Sequence, residues 1–95
     1  MRYSEFAPDE RLARYVECFW TLEVGKTARD LRVLPDGCVD ILFSCTKSGA
    51  IALSAVGVMT TARCFSLEPG DSFLGVRFRP AMAATFIADV NLLTD

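Results

Sequence analysis

Histidine is missing altogether from the 95-residue chain. General acid–base catalysis is most often carried by imidazole, so the commonest proton carrier is excluded. The same absence reduces the common zinc-binding sets to four thiolates or to mixtures of thiolate and carboxylate. No C-x-x-C pair occurs among Cys18, Cys38, Cys45 and Cys64. Each of these thiols lies in or beside an apolar run, where it packs as a small hydrophobe. No metal, no cofactor and no structural disulfide are expected. An excess of basic residues is also lacking: ten Lys and Arg stand against twelve Asp and Glu, for a net charge of −2. The basic residues are scattered, so no stripe tracks a phosphate backbone, and this domain is not expected to touch nucleic acid with its own surface. Long apolar runs are absent too. The longest uncharged stretch, Ser48 to Ala62, is too short and too interrupted by glycine and polar residues to span a bilayer. Arg2, Glu5, Asp9, Glu10 and Arg11 leave no apolar segment for a secretory leader. A cytoplasmic protein without membrane contact is the expectation.

What is present is apolar bulk. Hydrophobic residues make up 52% of the chain, including seven Phe, one Trp and two Tyr. A chain this short buries only roughly 60–65% of its extended surface, so one dense core and one domain, residues 1–95, are predicted.

Along the chain, Ala7 to Val16 reads as a short N-terminal helix, with Pro8 early, Asp9 and Glu10 at the amide end, and Leu12, Tyr15 and Val16 on one side. Val16 to Val24 reads as a strand in which Cys18, Trp20, Leu22 and Val24 share the core face and Phe19 is left over on the other. Leu31 to Leu34 is extended, Pro35-Asp36-Gly37 is a turn, and Val39 to Ser44 is extended again. A hairpin around that turn is predicted; a wider loop between strands that are not neighbours is the alternative. Further strands are expected at Ala50 to Val56, Arg63 to Leu67 and Ser72 to Phe78, with a helix from Pro80 through Ile87. Leu92-Leu93-Thr94-Asp95 carries a cap-like residue at which another helix would begin, so the parent protein is expected to continue. Short strands with Gly- and Pro-bearing turns, and helices only near the ends, predict a mainly β fold: a small antiparallel barrel or sandwich with short terminal helices.

The residue that asks for explanation is Asp40, a carboxylate among Val39, Ile41, Leu42 and Phe43. In one reading it satisfies turn amides near solvent. In a second it leaves the core face of its strand and pairs with Arg77 or Arg79, which share one side of the Gly75 to Arg79 segment. An inward carboxylate would need such a partner, because desolvation opposes burying either charge alone. In a third, either arginine holds an anionic ligand. Trp20 is the aromatic best suited to line a cavity, since it packs and donates from its indole nitrogen, with a purely core role as the competing reading, and Phe19 is expected under a loop, lining a pocket or meeting a partner. No catalytic residue is assigned. Asp36 and Asp40 have no fixed separation, and Cys38 has no imidazole to take its proton.

Four segments occur in order: YVECFW (Tyr15 to Trp20), LPDGCVDILF (Leu34 to Phe43), VGVMT (Val56 to Thr60) and LGVRFRP (Leu74 to Pro80). Together they resemble the N-terminal domain of a group of bacterial AraC-type transcriptional regulators, over about Pro8 to Asp95. That resemblance implies a cupin-like β domain acting as a sensor or dimerisation module. It also implies that DNA is held only by a C-terminal helix-turn-helix region absent from this chain. A regulatory, effector-sensing domain that binds a small molecule is therefore the leading expectation. A homodimerisation or structural module without a ligand is the alternative, and a small metal-independent enzyme comes third.

Overall fold

The computed structural model describes residues 1–27, 29–33, 38–57 and 63–86. Among the described residues seven strands carry the fold: β1 (Arg2–Phe6), β2 (Val16–Glu23), β3 (Arg29–Val33), β4 (Asp40–Cys45), β5 (Ile51–Val56), β6 (Arg63–Leu67) and β7 (Ser72–Phe78). They form a five-stranded sheet in the order β1-β2-β7-β4-β5 and a two-stranded sheet, β3-β6, with antiparallel pairing throughout.

The sheets do not close on themselves, so the expected barrel is corrected to two open sheets, and the cupin-like label falls with it. Closure needs the two edge strands to meet with a consistent tilt and stagger. Here β1 and β5 end the larger sheet on opposite sides, and β3 pairs with β6 instead of bridging them. The predicted N-terminal helix is also corrected. Residues 10–15 form turns, with Leu12 N–H donating to the Asp9 carbonyl at 2.9 Å and Tyr15 N–H to that of Leu12 at 3.0 Å. These bonds span three residues, and the four-residue bond from Val16 N–H to the Leu12 carbonyl at 2.9 Å comes where β2 begins, so the turns do not continue as an α-helical ladder.

One short helix, residues 82–86, follows β7. It starts later than Pro80 because Ala81 has φ 65°, in the left-handed region. Phe86 packs against Phe78 and Tyr15, each at 5.4 Å between ring centroids. Ile87, Leu92 to Asp95 and the turn residues Pro35, Asp36 and Gly37 lie outside the described residues.

Strand alternation gives the larger sheet two faces. Tyr3, Glu5, Cys18, Trp20, Leu22, Phe73, Gly75, Arg77, Asp40, Leu42 and Ser44 share the inner face by register. The small sheet covers one end of it. There Leu22, Val24 and Leu67 are buried together, with Trp20, Leu31, Phe65 and Phe73 packed around them. Phe73 therefore takes the core position in β7, and Leu74 turns outward. The other end of the inner face holds the charged residues.

Candidate functional site

Asp40 stands opposite Arg77 in the β4–β7 register, and Arg77 stands opposite Cys18 in the β2–β7 register. Three central strands thus deliver a carboxylate, a guanidinium and a thiol side by side. Asp40 Oδ2 accepts a hydrogen bond from Trp20 Nε1 at 2.9 Å and lies 3.5 Å from Arg77 Nε. Arg77 Nη1 is 3.6 Å from Glu5 Oε1 and 3.9 Å from Cys18 Sγ. The side chains of Asp40 and Arg77 are 15% and 23% exposed, whereas that of Glu5 is 54% exposed. One acid therefore holds the guanidinium from inside and a second meets it at the solvent edge.

Aromatic packing fixes this group. Gly75 lies opposite Trp20, and its missing side chain makes room for the indole, which lies directly over it. Tyr3 stacks on the far side, nearly parallel to Trp20 at 6.1 Å between ring centroids, and donates its hydroxyl to Glu5 Oε1 at 2.7 Å. Burial, and then the bond to Glu5, raise the Tyr3 pKa above its ordinary value. Desolvation works against the Arg77 charge, but the Asp40 carboxylate and the Tyr3 hydroxyl outweigh it, so the Arg77 pKa is raised. Burial likewise raises the Cys18 thiol, with Arg77 opposing, which makes Cys18 a poor nucleophile.

Other residues singled out from the sequence fall elsewhere. Arg79 lies past the end of β7 and donates from Nε to the Ala13 carbonyl at 2.7 Å, tying the N-terminal turns to the sheet. Phe19 is half-buried on the outer face, between Phe6 and Val76. Cys38 is buried and its Sγ lies 3.5 Å from Glu17 Oε2. Tyr3, Glu5 and Cys18 were not singled out by sequence reasoning. Cys18 was within reach, since it shares a strand face with Trp20. For Tyr3 and Glu5 the signal was the alternation in Arg2-Tyr3-Ser4-Glu5-Phe6, a short edge strand.

The outer face carries a shallow open hollow of about 390 Å³, lined in part by Thr21, Glu23, Phe43, Cys45, Ile51 and Leu74. Trp20, Asp40, Arg77 and Arg79 do not line it. Among the described residues no cluster of three or more His, Cys, Asp or Glu is placed to hold a metal ion. No helix among them is long and apolar enough to cross a membrane.

One family matches the chain, over residues 4–95; it is described as a domain of unknown function, DUF6597. No curated protein and no solved structure matches. The family assignment drawn from the sequence is corrected accordingly: the comparisons support neither the AraC family nor a role in transcription.

Proposed function

The chain belongs to the DUF6597 family, and from that premise we propose that it is a regulatory, effector-sensing domain that binds a small anionic molecule at Arg77. The observation that carries this reading is the division of labour between the two acids. Asp40, bonded to Trp20, fixes the guanidinium from within, while Glu5 meets it at 3.6 Å from a largely exposed position. A ligand carboxylate or phosphate that displaces Glu5 gains a charge-assisted contact without disturbing the inner pair. Trp20 and Tyr3 lie beside that position and offer an apolar wall.

Binding, and not turnover, is the chemistry this group supplies. Its thiol is held protonated by burial, and the chain has no imidazole to act as base. Cys18, Cys45 and Cys64 are free thiols, which suits the reducing cytoplasm, where we place the domain. Its scattered basic residues give this domain no surface for DNA.

The test is a panel of small carboxylates and phosphates read by thermal shift and by Trp20 fluorescence. At least one member should raise the melting temperature and change the emission. Arg77→Lys should weaken that response about tenfold, the loss of one bidentate contact worth roughly 1.4 kcal/mol. Glu5→Gln, which removes the competing acid, should strengthen it. A panel without any response at millimolar concentration sinks the proposal.

A further inference from the structure

The outer face of the five-stranded sheet is apolar, and beyond its Phe78 end, where Phe86 packs against Phe78 and Tyr15, it is open. By register it carries Phe6 and Phe19, Leu74 and Val76, Ile41 and Phe43, and Ile51 and Leu53. Leu53 is 64% exposed and Ile51 73%, while Phe43 and Leu74 are each 46% exposed. Single exposed hydrophobes are ordinary, but neighbours across five consecutive strands form one continuous patch. We propose that this face is the interface of a homodimer, in which two copies stack their five-stranded sheets outer face to outer face.

Three features favour a second copy over another partner. The first is shape: a flat antiparallel sheet face packs best on another sheet face, about 10 Å away, with side chains interdigitated. The second is charge. The middle of the patch, from Phe19 and Thr21 across to Leu53, carries none, so two copies meet there without like-charge repulsion. Its charged residues stand at the ends of strands, with Arg2 opposite Glu23 in the β1–β2 register. Both signs on one rim make the surface complementary to itself, which a two-fold interface requires. The third is area. Five strands about 4.8 Å apart and about 20 Å long give a plan area of roughly 480 Å² per copy. Because Phe86 already covers the Phe78 end, two copies bury less than about 1,000 Å², in the range of weak interfaces, so the dimer depends on concentration. This proposal rests on the outer face alone and is independent of ligand binding on the inner one.

Sedimentation velocity on the 95-residue chain, from low to high micromolar concentration, tests it. The wild type should pass from monomer to dimer. Leu53→Glu and Leu74→Ser should each raise the dissociation constant at least tenfold, with circular dichroism and the melting curve verifying that the variants fold. Both side chains are already exposed, so neither substitution empties a core position. Ser54→Glu places a charge on the same strand but on the opposite face, and should leave dimerisation unchanged. A monomer at every concentration overturns the proposal, as does a dimer indifferent to both Leu53→Glu and Leu74→Ser. So does a dimer broken equally by Ser54→Glu, since that outcome means pairing through the β5 edge.

Discussion

The narrowest tolerance in the molecule is at Gly75. A Cβ on this residue would fall within the Trp20 indole, contacting its Cε2, Cζ2 and Nε1 atoms. Because the indole is also held by Asp40 and stacked by Tyr3, it has no easy retreat. Gly75→Ala should therefore destabilise the fold by about 2–4 kcal/mol, at the upper end of overpacking costs, and should shift Trp20 emission as the ring is displaced. A chemical denaturation curve followed at the tryptophan reads both. Asp40 offers a second test. Asp40→Ala removes the inner partner of Arg77, leaving Glu5 at the solvent edge, and takes the acceptor from the Trp20 indole N–H. The cost should be about 2–3 kcal/mol, below the full penalty for a buried pair because Arg77 retains some solvent contact. Asp40→Asn keeps an acceptor for Trp20 and should cost about half as much, so comparing the two melting curves separates the hydrogen bond from the charge. At this scale the sequence was partly legible. Alternation put Asp40 and Arg77 each off the apolar side of its strand, which is a local property. The choice between Arg77 and Arg79 depended on where β7 stops, at Phe78, and nothing local marks that end.

Among the elements, the short helix has a strained entrance. Ala81 occupies φ 65°, a region that costs an L-residue roughly 1–2 kcal/mol and glycine almost nothing. Ala81→Gly should raise stability by about 1 kcal/mol, less the entropy that glycine loses on folding, and the gain should appear as a higher melting temperature. The same position explains why the helix begins at 82 and not at Pro80, a shift that proline's tolerance in a first turn did not foretell. β1 went unread for a different reason. Five residues with an exposed, polar-rich pattern carry little hydrophobic signal, and the strand exists because it pairs with β2. The N-terminal turns show the converse. Leu12, Tyr15 and Val16 have helical spacing, but Val16 is already committed to the sheet opposite Phe78, which leaves too few residues for a stable helix. Val16 to Glu23 was the most legible element, because Cys18, Trp20 and Leu22 alternate over a long run and all turn to the inner face.

For the whole molecule, alkaline pH is the informative variable. Burial raises both Cys18 and Tyr3 above their ordinary values of 9.0 and 10.0. Each holds its proton more tightly in the folded state than in the unfolded chain. Their contribution is thus complete below pH 9 and is lost as the pH climbs through 9 and 10 toward the folded values. Melting temperature should hold up to about pH 9 and fall from there to about 11. Cys18→Ala should flatten the first part of that decline if its packing is retained. The barrel expectation failed at this scale, because counting strands says nothing about which edges meet. The small sheet joins residues 29–33 to residues 63–67, and no turn between neighbouring strands announces it. In the larger sheet β2 is flanked by β1, its predecessor, and by β7, the last strand. A ribosome therefore delivers Val16 to Glu23 long before Ser72 to Phe78 emerges to seal its second side. Until then Trp20 and Leu22 have no finished wall to rest against, and the nascent chain must wait, sticky and half-assembled, until Ser72 to Phe78 has been made.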